Sequence, residues 1–178
     1  MNKIMLDLET MGNSANSAII AIGAVRFDND KLLDEFYTVV DLQSCLDNGL
    51  EMNADTVLWW MQQSEQARNQ FKRKGEQVDV VLDDFSKWMR SRAEVWGNGA
   101  AFDNAILANA YKKLGKEQPW AFWNDRCYRT MKSLYPEVKI QRQGTYHNAL
   151  DDAKSQAEHL IRILKQKDKK LPLFGGNL

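Results

Sequence analysis

The sequence predicts an α/β domain with a mixed β-sheet and helices on both faces. Three observations carry that expectation. The chain opens with three β-rich runs joined by tight turns, helical periodicity then alternates with short strand-like segments, and all of it fits in 178 residues, the length of one domain. No internal repeat or low-complexity segment interrupts the pattern.

The first strand covers residues 3–9. Its side chains alternate, so Ile4, Leu6 and Leu8 share one face while Met5, Asp7 and Glu9 share the other. A turn over 11–17 leads to a second strand over 18–27, and Asp28-Asn29-Asp30 makes a hairpin into a third over 32–40. Asn53 is placed to cap a helix over 55–61, and Ser64 to open another running to Phe71. Residues 78–92 read as an amphipathic helix, with Val78, Val81, Leu82, Phe85, Trp88 and Met89 at helical spacing. Glu94-Val95-Trp96 is a short strand running into Gly97-Asn98-Gly99, a turn that suits close approach by a ligand. A helix over 102–114 stops at Gly115, residues 126–128 form a short fifth strand, and the last helix spans 149–167.

Composition narrows the function classes. Twenty-four basic residues balance twenty-four acidic ones, so a strongly basic protein gripping any nucleic acid is excluded, and local patches or bound metals must attract phosphate. The two cysteines, Cys45 and Cys127, sit in no metal-like spacing and read as reduced thiols of a cytoplasmic protein. The chain starts on a strand with no signal peptide, and no apolar run approaches the ~20 residues needed to span a membrane.

Against this background the carboxylates are informative. Asp7 and Glu9 lie on one face at the end of a strand, where two like charges resist ionising together unless a cation joins them. An oxygen-only pair favours Mg²⁺ or Mn²⁺, and with them phosphate chemistry. Asp103 falls in the middle of the apolar face formed by Ile106, Leu107, Ala110 and Leu114, a costly position unless the acid is paired or metal-bound. On the last helix Asp152 borders the apolar arc and can turn toward the sheet, whereas Asp151 reads as a surface acid at the helix start. His147, five residues before Asp152 on a Gly144-containing stretch, is a candidate general base. His159 falls on the polar side of the helix, with no role assigned.

Asp7-x-Glu9, Asp103 after a strand and Gly turn, and His147-x-Ala149-x-x-Asp152 together resemble the DnaQ-like (DEDDh) group of 3′-5′ exonucleases. The resemblance covers about residues 1–166. Thr56-Val57-Leu58-Trp59-Trp60 and Phe102-Asp103-Asn104-Ala105-Ile106-Leu107 are most similar to phage and prophage members. It implies a ribonuclease H-like fold with a central five-stranded mixed sheet, and a short tail over 167–178. It also implies two divalent cations, Mg²⁺ or Mn²⁺, held by Asp7, Glu9, Asp103 and Asp152, with His147 as base. The implied reaction releases nucleoside 5′-monophosphates from 3′ ends, single-stranded DNA being favoured. RNA trimming by the same chemistry, a non-catalytic nucleic-acid-binding protein and an RNase H-type endonuclease are the alternatives.

For substrate contacts, Thr10 and Met11 follow the acid pair, and Trp59 or Trp60 can stack a base, although both indoles also suit core positions. Lys139, Arg142 and Tyr146 are candidate phosphate contacts. In the tail, Leu171-Pro172-Leu173-Phe174 resembles part of a sliding-clamp-binding peptide without its leading Gln. Docking back onto the domain, or onto a second subunit in a homodimer, is the competing reading.

Overall fold

The computed structural model describes residues 2–90 and 92–170. Three strands open the chain, β1 (Asn2–Thr10), β2 (Ile19–Phe27) and β3 (Leu32–Val39), followed by four short helices and strands in alternation. These are α1 (Leu42–Asp47), α2 (Ala54–Met61), α3 (Glu65–Arg68), α4 (Val78–Met89), β4 (Ala93–Gly97), α5 (Asp103–Lys113), β5 (Asp125–Cys127), α6 (Tyr128–Leu134) and α7 (Ala149–Lys170). The strands form one sheet in the order β3-β2-β1-β4-β5. The meander pairs antiparallel, while β1–β4 and β4–β5 pair parallel, so the sheet is mixed and five-stranded as expected.

Both faces of β1 are buried, and its alternation sorts them into two cores. Ile4, Leu6 and Leu8 pack with Val81, Leu82 and Phe85 of α4 and with Ile106 and Leu107 of α5. Met5 packs on the other side with Ala153, Ala157 and Leu160 of α7 and Tyr128 of α6. Asp7 and Glu9 share the Met5 face, so the strand's own period aims both carboxylates at α7. That helix approaches the sheet closely because Gly23 of β2, the register partner of Asp7, carries no side chain. A Cβ there would collide with the backbone of Ala149 and Leu150.

The capping residues act as their types suggest. Asn53 accepts from the backbone N–H groups of Asp55 and Thr56, and Ser64 from that of Ala67. Several boundaries differ from the sequence reading. The helix after Ser64 is only α3 and a 3-10 turn over Asn69–Lys72, α4 ends at Met89 with Arg90 in the left-handed region (φ 55°), and α1 and α6 are additional. α6 begins directly after β5, so Tyr128 opens a helix and does not extend the strand.

His159 is not on a solvated face. It is 1 % exposed; its Nδ1 accepts from the Tyr128 hydroxyl at 2.7 Å, and its Nε2–H donates to the Val138 carbonyl at 2.7 Å. A carbonyl can only accept, which fixes the tautomer, and burial holds the imidazole below its usual pKa. The reason is geometric. Asp152, Gln156, His159 and Ile163 share one stripe of the helix, and α6 with the following segment covers its flank. Asp151 is likewise half-buried, accepting from the Thr145 backbone N–H at 2.8 Å and closing the loop at Gly144. Leu171–Phe174, the clamp-like segment, lies outside the described residues. Among the described residues no helix is long and apolar enough to cross a membrane.

Candidate active site

β1, α5, α7 and the loop before α7 converge on a cleft of about 210 Å³, lined by Asp7, Glu9, Asp103, His147 and Asp152 together with Arg129 and Arg142. The four acids and the histidine singled out in the sequence therefore meet in one place, although they span 146 positions of the chain. Each is aimed by a different device. The β1–β2 register slips between Glu9 and Thr10, a bulge of the kind that re-aims side chains beside functional sites. Asp103 opens α5, and its Oδ1 accepts from the Leu8 backbone N–H at 3.1 Å, tying the helix to β1. Gly97 makes that approach possible. The space its missing Cβ leaves is filled by Asn104 and Asp103, so this glycine accommodates the protein's own helix and not a ligand as expected.

Asp152 accepts at Oδ2 from the His147 backbone N–H (3.1 Å) and at Oδ1 from the Arg142 guanidinium. His147 sits at φ 60°, a left-handed conformation that a non-glycine residue adopts only when its surroundings hold it. Here they do: its N–H goes to Asp152, and its carbonyl accepts from Gln70 Nε2 at 3.2 Å. The ring packs edge-on against Trp59, with centroids 5.0 Å apart. Ligating atoms of Glu9, His147 and Asp152 all lie within 4.8 Å of one another.

The electrostatics are those of acids without enough positive charge. Burial first, then repulsion from Asp103, Glu9 and Asp152, pushes Asp7 well above the ordinary carboxylate range. Glu9 is pushed up to about 8 by burial and by Asp152 and Asp103. Burial raises Asp103 to about 7 despite opposing hydrogen bonds from backbone N–H groups and the nearby Arg129 charge. Its Oδ2 is buried with no hydrogen-bond partner. An orphaned carboxylate oxygen beside three more acids fits a divalent cation, which would supply the missing partner and favour the ionised forms.

The substrate candidates are distributed differently. Thr10 is 6 % exposed with its hydroxyl donating to the Gly12 carbonyl, and Met11 is buried in the core, so neither side chain lines the cleft. Trp60 is 3 % exposed and its indole N–H donates to the Thr10 carbonyl at 2.9 Å, making it a core residue that fixes the chain beyond the acid pair. Trp59 is 41 % exposed at the rim. Sequence reasoning missed Gln156, 3 % exposed, whose amide donates to Asp7 Oδ1 at 2.7 Å. Its position four residues after Asp152, on the same helix face, was the available signal.

The family model for the Rv2179c-like 3′-5′ exoribonuclease domain matches residues 2–164. This chain belongs to that family. It is a 3′-5′ exonuclease, an enzyme that acts on nucleic acid. Among relatives, the chain is 26 % identical over 160 residues to an exodeoxyribonuclease of Enterobacteria phage T4, covering 73 % of this chain and 70 % of that protein. It is also 26 % identical over 175 residues to a PolC-type DNA polymerase III of Caldanaerobacter subterraneus subsp. tengcongensis, covering 92 % of this chain but only 12 % of the polymerase. Two solved structures share the fold. The nuclease domain of 3′hExo bound to rAMP, described as a DEDDh family member, superposes with a TM-score of 0.64 at 15 % identity, covering 93 % of this chain and 92 % of that one. Exonuclease X in complex with 5′ overhanging duplex DNA gives 0.60 at 17 % identity, covering 92 % and 91 %.

Proposed function

We propose that the chain removes nucleotides one at a time from the 3′ end of single-stranded DNA, with Asp7, Glu9, Asp103 and Asp152 holding two divalent cations, Mg²⁺ or Mn²⁺. The observation that carries this reading is the convergence of these four carboxylates and His147 on one cleft, where burial pushes Asp103 to about 7 and burial with the neighbouring acids pushes Glu9 to about 8. When bound, the metal pair supplies Lewis acidity to the attacking water and to the departing 3′ oxygen. The remaining work falls to the chain. His147 accepts the proton of the attacking water, the new P–O bond forms as the P–O3′ bond breaks, and the leaving oxygen takes up a proton from solvent. The products are a nucleoside 5′-monophosphate and a strand shortened by one residue with a 3′ hydroxyl. Gln156 orients Asp7, and the Trp60–Thr10 bond holds the chain just beyond Glu9. Trp59 offers a face on which the terminal base stacks without sequence preference.

The favoured polymer rests on the exodeoxyribonuclease relative, which the chain matches over 70 % of its length. RNA is the second reading, favoured by the exoribonuclease family model. Matched 5′-labelled DNA and RNA strands, incubated with Mg²⁺, Mn²⁺ or chelator, distinguish them. A descending ladder on DNA supports the first reading, a ladder confined to RNA replaces it with the second, and cleavage that survives chelation overturns both.

A further inference from the structure

Beside the carboxylate cleft lies a second depression of about 520 Å³ between α6 and the segment over 136–140. The two share Asn98 and Arg129, so they adjoin, with Arg129 at the junction. The chemistry changes sharply across that residue. The cleft carries four acids, whereas the depression carries Arg129, Lys132 and Lys139 and no carboxylate. Among the described residues none of these three cations forms a salt bridge. Its floor is apolar, made by Pro136, Val138 and Ile140.

Arg129 is held in place for the junction. Its guanidinium donates to the Asn98 carbonyl and lies against Gly99, where an added Cβ would meet it at 3.4 Å. Gly99 itself has φ 124° and favours glycine for that reason too. His147, which also lines the cleft, has the exposed Trp59 indole packed edge-on against its ring. A strand whose 3′ terminus lies at the carboxylates can leave past Arg129 into the depression, whose charged side chains are all cationic.

We infer that the groove between α6 and residues 136–140 is the track for the single strand on the 5′ side of the scissile bond. Arg129, Lys132 and Lys139 contact successive phosphates, and Pro136, Val138 and Ile140 contact sugar and base faces. An apolar floor flanked by cations suits an unpaired strand, because a duplex hides its base faces in the stack. The shared chemistry is a phosphodiester backbone, from either DNA or RNA. This inference rests on the exonuclease reading, extending it from the reacting bond to the polymer.

The test is a double charge reversal, Lys132→Glu with Lys139→Glu, compared with the unaltered chain on two kinds of substrate. One is a ten-nucleotide single strand of DNA or RNA. The other is an aryl ester of a nucleoside 5′-monophosphate, which has no upstream nucleotide. Expected are a ~10- to 100-fold fall in kcat/KM on the strand, near-unchanged hydrolysis of the ester, and a binding isotherm whose log–log salt slope is shallower by about 1.4, for two lost phosphate contacts at ~0.7 each. Binding is read by fluorescence anisotropy with chelator, so it does not depend on turnover. Unchanged strand binding and salt slope, or equal losses on strand and ester, overturn the inference. An unaltered chain that binds the strand with the expected slope but releases no nucleotide overturns the activity and leaves the track supported. Comparing the DNA and RNA arms shows which backbone the groove prefers.

Discussion

Gly23→Ala tests whether the site depends on how closely α7 lies on the sheet. A methyl at this position falls on the carbonyl carbon and oxygen of Ala149 and the backbone nitrogen of Leu150, about 1 Å short of the 3.4 Å at which ordinary contact begins. Backbone atoms have no rotamer by which to escape, so the first turn of α7 must withdraw by about that distance. That turn carries Asp152, and Asn148, whose Oδ1 accepts from the Asp151 backbone N–H, stands directly before it with His147. A misplacement of ~1 Å in catalytic groups costs ~100-fold in rate, or about 2.7 kcal/mol of transition-state stabilisation. Overpacking should also remove ~1–3 kcal/mol of stability. The assay is single-turnover nucleotide release alongside urea unfolding, with Gly115→Ala as control. Gly115 has φ 65° and open space around it, so its alanine variant should lose ~1 kcal/mol through backbone strain while keeping its rate. A Gly23→Ala variant with a rate within twofold of the unaltered chain, or an equal rate loss in the control, would show that the seating of α7 on the sheet does not set the rate.

Glu9→Gln should stabilise the metal-free protein. Glu9 titrates at about 8 when folded and near 4.5 when unfolded, so its contribution is fully present below pH 4.5 and is lost as pH rises toward 8. The glutamine variant should gain ~3 kcal/mol over the unaltered chain at pH 7, at 1.36 kcal/mol per pH unit, and nothing at pH 4. Urea unfolding in chelator checks this, and parallel pH profiles would contradict it. His147→Ala should lower turnover ~10²- to 10⁴-fold with metal affinity nearly intact; near-normal rates would remove His147 from proton transfer. Trp59→Ala should raise KM for a strand by ~5- to 160-fold, the equivalent of ~1–3 kcal/mol of stacking, with stability little changed. An unaltered KM would show that the exposed indole meets no base.

How far the site could be read in advance depended on whether a residue's role was set by local period. Asp7 and Glu9 were legible because a strand alternates, and Asp103 because an acid in the middle of an apolar helix face is conspicuous. Asn53 and Ser64 were legible because caps act within three residues. Roles set by tertiary packing were hidden. Gln156 looks like an ordinary polar helix residue until Asp7, 149 positions away, is brought against it. His159 and Asp151 seemed solvated because nothing local shows that α6 and the 138–145 segment cover that side of α7. Helices α1 and α6, at six and seven residues, are too short to display a full apolar period. Trp59 and Trp60 are adjacent with opposite fates, and only the Thr10 carbonyl beneath Trp60 separates core from rim.

In the proposed reaction the four carboxylates, from three elements, form one cation site. Titration of the metal-free protein with Mn²⁺, followed calorimetrically, tests it most directly. Two ions should bind per chain in the unaltered protein, with a marked loss of affinity in Asp7→Ala. Identical isotherms for the two proteins would contradict it.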